Sequence, residues 1–146
     1  MQKKSKEDFT VSELAIIKLL WEKQTSLTAA EIIENLPELN LLVNSLYVIL
    51  QGMMRKGLID MDGQVRRGKR YAKTYKAIIS REDFATMQMY KLFPDVPKRD
   101  RVLGILASMV KQDGDDEETI SLLEEYVQKK RKERESYWML MFFLSL

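Results

Sequence analysis

The segment QVRRGKRYAKTYK, residues 64–76, concentrates the side chains best suited to bind an anion. It carries six positive charges and no negative one. Guanidinium groups bind phosphate through paired hydrogen bonds, and lysine ammonium groups act as point charges. The segment therefore indicates a surface for a polyanion, although a solvated charged hairpin would have the same composition. The positions that we expect to contact phosphate are Arg66, Arg67, Lys69, Arg70 and Lys73.

The residue types that support most enzyme and metal chemistry are missing from the chain. It contains no cysteine and no histidine, which excludes disulfides, thiolate or imidazole metal sites and histidine-based acid–base catalysis. The acidic run DGDDEE, residues 113–118, lacks the ligand spacing of a calcium loop and instead favours the start of a helix. We therefore expect no enzyme, no metal site and no cofactor.

The charge is unevenly distributed along the 146 residues. Residues 1–79 contain 13 Lys and Arg against 9 Asp and Glu, a net charge of +4, whereas residues 80–146 contain 11 against 13, a net charge of −2. The hydrophobic content of 45% supports a folded core. Because the first residues, MQKKSKEDF, are charged and no apolar run follows them, we expect no signal peptide and a cytoplasmic protein.

Two capping boxes mark the start of two helices. Thr10 is followed three residues later by Glu13, and Thr28 by Glu31, so in each pair the two side chains satisfy two amides of the first turn. The first helix is predicted to run to about Lys23. The second is predicted to be short, because a proline follows it and proline lacks the amide donor that a helix interior needs.

A third helix is predicted over residues 41–56, ahead of a glycine at its C-terminus. Its core-facing residues recur at three- and four-residue spacing: Leu42, Leu46, Ile49, Leu50 and Met53. The opposite stripe is polar with few charges. Asn and Gln side chains pair with adenine and apolar ones pack on thymine methyls, so base reading is one interpretation and simple solubility is the other. The base-reading candidates are Asn44, Ser45, Tyr47, Val48 and Gln51, and Arg55 is a candidate phosphate contact.

Residues 58–79 contain two strand-like runs around turn residues, which predicts a β-hairpin. We place its tip near Arg66–Lys69. A tip at Asp62-Gly63 is the alternative, since Asp-Gly favours tight turns. Three helices followed by a basic hairpin are the elements of a winged helix-turn-helix, in which the wing's Lys and Arg lie on phosphates or in a minor groove.

The second half of the chain is predicted to be helical. One helix starts after Ser80 and runs to about residue 93, a second spans about 98–112, and a third starts within 115–118. Three amphipathic helices of this length bury little by themselves, so we expect them to pack against a partner surface. If the partner is a second copy of the chain, the expected dimer contacts are Leu103, Leu106, Val110, Leu123, Tyr126 and Val127.

The last residues, SYWMLMFFLSL at 136–146, include nine apolar ones among eleven. A membrane-spanning helix needs about 20 such residues, so we expect no membrane crossing. Three interpretations remain. The segment extends the last helix and packs in a dimer interface, or it is loose or contacts another protein, or it binds a membrane surface because the basic residues 129–134 precede it.

Several motifs resemble the penicillinase-repressor family, the bacterial group of beta-lactamase, methicillin-resistance and copper-responsive repressors. The motifs are TVSELAIIKLLWEK, LTAAEI, LYVILQGMMRKGLI and GKRYAKTY, and the resemblance covers about residues 8–135. It implies a winged-helix N-terminal domain, a helical C-terminal dimerisation domain, and a homodimer that blocks transcription from a dyad-symmetric operator. It also implies that the third helix is the recognition helix.

The chain departs from the family pattern in its recognition helix and in its release signals. Asn44-Ser45 stand where the family usually has Lys-Thr, Val48 replaces a second Thr, and Gly52 replaces an Arg, Asn or Ser, which implies a different operator. The sequence contains neither the Asn-Phe bond at which antibiotic-responsive members are cleaved nor the Cys-x-Cys cluster of copper-responsive members. The inducing signal stays open, with a sensor protease, a small ligand or another protein partner as candidates.

We predict a mainly α protein with a small β-hairpin wing. It comprises a winged-helix DNA-binding domain over residues 1–79 and a helical dimerisation domain over 80–146 with an apolar tail. The predicted function is a dimeric repressor that binds a dyad-symmetric operator in double-stranded DNA. The alternative is a protein-interaction adaptor that uses the tail, because fold does not fix function. The charge of the wing separates the two, since an adaptor does not need it.

Overall fold

The computed structural model describes residues 9–114 and 116–146. Residues 1–8, for which we expect no signal peptide, and Asp115, within the acidic run predicted to start the last helix, lie outside the described residues. The helices are α1 (Val11–Lys23), α2 (Ala29–Asn35), α3 (Val43–Arg55), α4 (Arg81–Tyr90), α5 (Lys98–Asp113) and α6 (Glu117–Leu144), and the strands are β1 (Leu27–Thr28), β2 (Ile59–Arg67) and β3 (Arg70–Ala77).

Both predicted capping boxes are present at the N-termini of α1 and α2. The Thr10 amide donates to Glu13 Oε2 at 2.8 Å, and the Glu13 amide donates to Thr10 Oγ1 at 3.1 Å. The Thr28 and Glu31 pair repeats these bonds at 2.8 and 3.2 Å. Each box satisfies two amides that a helix start would otherwise leave unpaired. Pro37 begins a single 3-10 turn directly after α2, as expected for a residue that cannot continue the helix.

The hairpin of β2 and β3 has its tip where the sequence predicted it. Arg67 and Arg70 form its last residue pair, and Gly68 adopts φ +60° in the turn between them. The alternative tip at Asp62-Gly63 is wrong. Gly63 instead lies in a bulge where the pairing shifts between Met61 and Gln64, and its φ of +118° is one that a glycine adopts without strain.

A third strand, β1, completes an antiparallel sheet of order β1-β3-β2. Leu27 pairs with Tyr75 and Thr28 with Thr74. This strand was not predicted from the sequence, because two residues show no alternation and their pairing partners lie far along the chain. The strand fastens the base of the hairpin to the turn that precedes α2.

The chain divides into two compact units, the first ending at Leu92 and the second beginning at Phe93. Packing assigns α4 to the first unit. The Phe84 ring lies 4.8 Å from Phe9 and 5.4 Å from Trp21 between centroids, and Trp21 Nε1 donates to the Ile79 carbonyl at 2.9 Å. The division of function that we place between residues 79 and 80 stays a prediction.

The second unit contains α5 and α6, and neither helix has a buried residue. α6 continues through the apolar tail as far as Leu144, so the tail is helical and extends the last helix. Among the described residues, no helix has the length and apolar character needed to cross a membrane.

Candidate nucleic-acid interface

Helix α3 is held in the first unit by its apolar stripe. Leu46, Leu50 and Met53 are fully buried, and Ile49 is half-buried. Leu42, which we predicted in the same stripe, is 75% exposed. It is the N-cap residue with an extended backbone, so the helical spacing that orients the other members does not apply to it.

The opposite face of α3 is exposed, as its polar stripe predicted. Its side chains are short or hydrogen-bonding, and none of the five candidates carries a charge, so the face suits close approach to base edges rather than general solvation. Val48 is 67% exposed, which leaves an apolar side chain available to a thymine methyl. The exposed candidates are Asn44, Ser45, Tyr47, Val48 and Gln51, followed by exposed Arg55 in the last turn.

An ion pair fixes the C-terminal end of α3 against the start of α1. Lys56 Nζ donates to both carboxylate oxygens of Glu13 at 2.9 Å. The Glu13 side chain is only 7% exposed. A buried carboxylate needs a partner of this kind, because an unpaired charge away from water is strongly unfavourable. The pair therefore links the residue that follows α3 to the first turn of α1.

The wing rises from a buried base. Thr74 and Tyr75 of β3 are buried, and burial raises the pKa of the Tyr75 hydroxyl above its ordinary value. Beyond them, every residue from 60 to 71 is exposed. The chain thus presents the predicted wing cations on a projecting two-stranded hairpin whose base is held by the core.

The wing and α3 share an open cleft. Both elements belong to the first unit, so residues far apart in sequence line one surface. The predicted site residues that line the cleft are Tyr47 and Gln51 from the helix and Arg67, Arg70 and Lys73 from the wing. The predicted site residues outside the cleft are Asn44, Ser45, Val48, Arg55, Arg66 and Lys69, all of which are exposed.

Arg67 has a carboxylate partner within the first unit. Its guanidinium forms an ion pair and hydrogen bond with Glu31, the capping residue of α2. The Thr28 backbone amide holds the pKa of Glu31 below its ordinary value of 4.5, and Arg67 lowers that pKa further. A phosphate that binds Arg67 must compete with this carboxylate. Arg66 makes a local contact instead, from Nε to the Gly68 carbonyl at 3.1 Å.

Two residues at or beside the cleft were not among the site residues predicted from the sequence. Tyr71 is 68% exposed and lines the cleft beside the wing cations. Strand alternation places it on the same face as Lys73, and that alternation was the available indication. Glu31 was recognised only as a capping residue, because its contact with Arg67 joins positions 36 residues apart.

The basic segment also contains a cation that is neutralised locally. Lys76 Nζ lies 3.6 Å from Asp62 Oδ1 across the hairpin. A hydrogen bond from the Ser26 hydroxyl lowers the pKa of Asp62, and the Lys76 charge lowers it further. Lys76, like Arg67, must therefore leave a carboxylate before it can contact a phosphate.

The predicted dimer contacts lie on the two helices of the second unit. Leu103, Leu106, Tyr126 and Val127 are between 38% and 60% exposed, and Val110 and Leu123 are half-buried. Over residues 9–114 and 116–146, no cluster of three or more acidic side chains is arranged to hold a metal ion.

The family model for the penicillinase repressor matches residues 9–129, which include the cleft, both of its walls and most of the second unit. The chain belongs to the penicillinase-repressor family. The family predicted from the sequence is therefore confirmed. The helices and the three-stranded sheet described above confirm the predicted winged-helix fold. Members of the family are transcription regulators and not enzymes, which confirms the prediction that the chain is not an enzyme.

The solved structures that resemble this chain include a domain of the repressor BlaI, the repressor AdcR, and RosR. The DNA-binding domain of the repressor BlaI is 21% identical, with 56% of this chain and 93% of that one covered and a TM-score of 0.40. The adhesin competence repressor AdcR from Streptococcus pyogenes is 12% identical over 92% of this chain and 86% of that one, with a TM-score of 0.43. RosR from H. salinarum is 19% identical over 88% and 98%, with a TM-score of 0.40. No curated protein sequence matches the chain.

Proposed function

We propose that this protein is a dimeric repressor that binds a dyad-symmetric operator, with α3 in the major groove and the wing beside the backbone. The observation that carries the proposal is the shared cleft, in which an uncharged hydrogen-bonding helix face meets three wing cations. Such a surface suits duplex DNA, because base edges need neutral donors and acceptors while phosphates need positive charge.

The outer face of α3 and the wing have separate roles in this proposal. Asn44, Ser45, Tyr47, Val48 and Gln51 contact base edges and determine which sequence is preferred. The wing cations and Arg55 contact phosphates and determine how tightly any duplex is held. The departures at Asn44-Ser45 and Val48 then give this protein an operator different from those of its resistance-related relatives.

Dimerisation through α5 and α6 is the second part of the proposal. The exposed apolar residues of α5 and of α6 up to Val127 support it, because none of them finds a core within the protomer. Helices whose apolar faces lack a covering layer are stabilised when a second copy supplies one. The dimer sets the spacing between half-sites, which mirrors the protein's symmetry. Release by a sensor protease or another protein partner, and a cytoplasmic location, stay predictions from the sequence.

The first test is a gel-shift titration with the DNA upstream of the protein's own gene and with scrambled DNA, each at two salt concentrations. We expect a sequence-preferring shift whose log K falls by ~0.9 per neutralised phosphate for each tenfold rise in salt. Gln51→Ala should lower the preference for the operator about tenfold, whereas Arg70→Ala should weaken both DNAs alike. Lys18→Ala, at an exposed α1 lysine, is the matched control and should change neither.

A protein that shifts neither DNA would contradict the proposal, and the adaptor interpretation would replace it. Equal losses from Gln51→Ala and Arg70→Ala on both DNAs would contradict the division between the two walls. The dimer has its own measurement. Light scattering of the full chain at micromolar concentration should give a mass of two protomers, and Leu106→Asp should reduce this mass to that of one protomer.

A further inference from the structure

The C-terminal end of α6 is apolar around its whole circumference. All eight residues from Tyr137 to Leu144 are large and apolar, and each is between 48% and 77% exposed. Because successive helical residues are about 100° apart, eight in a row cover every direction around the axis. A helix that is apolar on all sides is stable only in surroundings that enclose it, either a protein core or a membrane.

A basic collar directly precedes this apolar end. Residues 129–134, KKRKER, contain five cations and one acid. The cations lie at five of six consecutive positions, so they too encircle the helix. Lys130 pairs with Glu133 at 2.9 Å, and the Lys129 charge also lowers the pKa of that carboxylate. Arg131, Lys132 and Arg134 are therefore the collar cations best placed to meet external anions. All residues of the collar are exposed.

Charged and apolar residues of this part of α6 are separated along the helix axis and not around it. The order is the collar, then Glu135 and Ser136, then Tyr137 and Trp138, then the wholly apolar residues 139–144. Crossing from water into a bilayer, a chain meets anionic headgroups, then the interfacial zone that Tyr and Trp favour, then hydrocarbon. A helix that lies flat on a membrane would instead have one apolar face and one polar face.

We propose that the end of α6 inserts end-on into one leaflet of an anionic lipid membrane, with the 129–134 collar at the headgroups. The length of the apolar end fits this depth. Eight helical residues extend about 12 Å, and one leaflet supplies about 15 Å of hydrocarbon. The helix ends at Leu144. The inserted segment therefore stays within one leaflet, in agreement with the absence of a membrane-crossing helix among the described residues.

A second copy of the chain fits this part of α6 less well than lipid does. Helix pairs bury one stripe of each partner, so pairing would leave large apolar side chains on the far side of residues 137–144 in water. Lipid surrounds the helix and covers all sides at once. The neighbouring collar would repel an identical collar in a parallel helix pair, whereas anionic headgroups attract it.

The test is co-sedimentation of the full chain with vesicles of phosphatidylcholine that contain about one-third phosphatidylglycerol, compared with phosphatidylcholine alone. We expect binding to the anionic vesicles that weakens with salt. Leu140→Glu combined with Phe143→Glu should reduce it about 100-fold, because acidic side chains are strongly disfavoured in hydrocarbon. Each collar cation replaced by Gln should reduce it about fivefold. Leu92→Glu, at a 77% exposed leucine of the first unit, is the control and should have no effect.

The basic wing is a possible source of unspecific vesicle binding, so the depth of the tail must be measured directly. Lipids brominated on their acyl chains should quench the fluorescence of Trp138, and the quenching should disappear in Trp138→Phe while sedimentation persists. Arg66→Gln combined with Arg70→Gln should leave both signals intact, although it weakens DNA binding. A failed operator assay would leave this result unaffected, because the tail belongs to the second unit.

Three results would overturn the proposal. One is no sedimentation with anionic vesicles. Another is sedimentation that requires the wing cations and tolerates the two Glu substitutions. The third combines two measurements: Leu140→Glu with Phe143→Glu lowers the light-scattering mass to that of one protomer, and vesicles bind neither the wild type nor this variant. A second copy of the chain, and not lipid, would then cover the tail.

Discussion

The contact between Arg67 and Glu31 predicts that a single neutralising substitution strengthens DNA binding. Glu31→Gln removes the carboxylate that holds the Arg67 guanidinium, and Gln at N3 preserves the capping box of α2. Both side chains are partly exposed, Arg67 by 59% and Glu31 by 31%. Ion pairs of such exposure contribute about 0.5–1 kcal/mol, which is the free energy that a phosphate must overcome to displace Glu31.

Releasing Arg67 should therefore raise the affinity for duplex DNA about two- to fivefold, on operator and scrambled DNA alike. Fluorescence anisotropy with labelled duplexes, repeated over a range of salt, measures both the affinity and its salt slope. Arg67→Ala alone should weaken binding and lower the slope by about 0.9 for each protomer bound. Thermal unfolding of each variant separates a change in binding from a change in stability.

The double variant decides whether the two residues act together. If Glu31→Gln strengthens binding only while Arg67 is present, the carboxylate acts by occupying that guanidinium. An equal gain in the Arg67→Ala background would show that Glu31 acts on DNA by long-range repulsion instead. A decrease in affinity for Glu31→Gln would refute the reasoning altogether, because it would mean that DNA binding needs Arg67 and Glu31 paired.

Three further predictions concern the first unit. Folding lowers the pKa of Glu31 from its ordinary value of 4.5, so the ionised carboxylate stabilises the fold above pH 4.5, and this stabilisation is lost as the pH falls through the folded-state pKa. Urea unfolding measured at several pH values should show the loss, and the Glu31→Gln variant should not show it. Lys56→Met should lower the free energy of unfolding by about 2–3 kcal/mol, because the Glu13 carboxylate would stay buried without its cation. A double-mutant cycle with Glu13→Gln should give a strong coupling energy, and additive losses would contradict the ion pair. Gly52→Ala should raise the free energy of unfolding by about 0.5–1 kcal/mol, because alanine favours a helix interior and the added Cβ would lie at an ordinary 3.8 Å from Glu13. A loss of DNA affinity without a loss of stability would show that Gly52 allows the duplex to approach closely.

Features decided by neighbouring residues were predictable from the sequence. The capping boxes at Thr10 and Thr28, the proline after α2 and the hairpin tip at 66–69 all depend on interactions within a few residues, so local spacing identifies them. The periodicity of α3 separated its buried stripe from its exposed face for the same reason. The error at Leu42 arose where the helical period no longer applies, one residue before the helix begins.

The sequence by itself thus determined the winged-helix elements, the position of the basic wing and the exposed face of α3, because periodicity, capping and charge are local properties of the chain. Only the tertiary structure decided which of these residues meet. The pairing of β1 with β3, the contact of Lys56 with Glu13 and that of Arg67 with Glu31 join positions tens of residues apart. Such contacts depend on the whole path of the chain, and no short-range pattern encodes them. For the same reason, the sequence predicted Arg67 as a phosphate contact but did not reveal that Glu31 competes with phosphate for its guanidinium group.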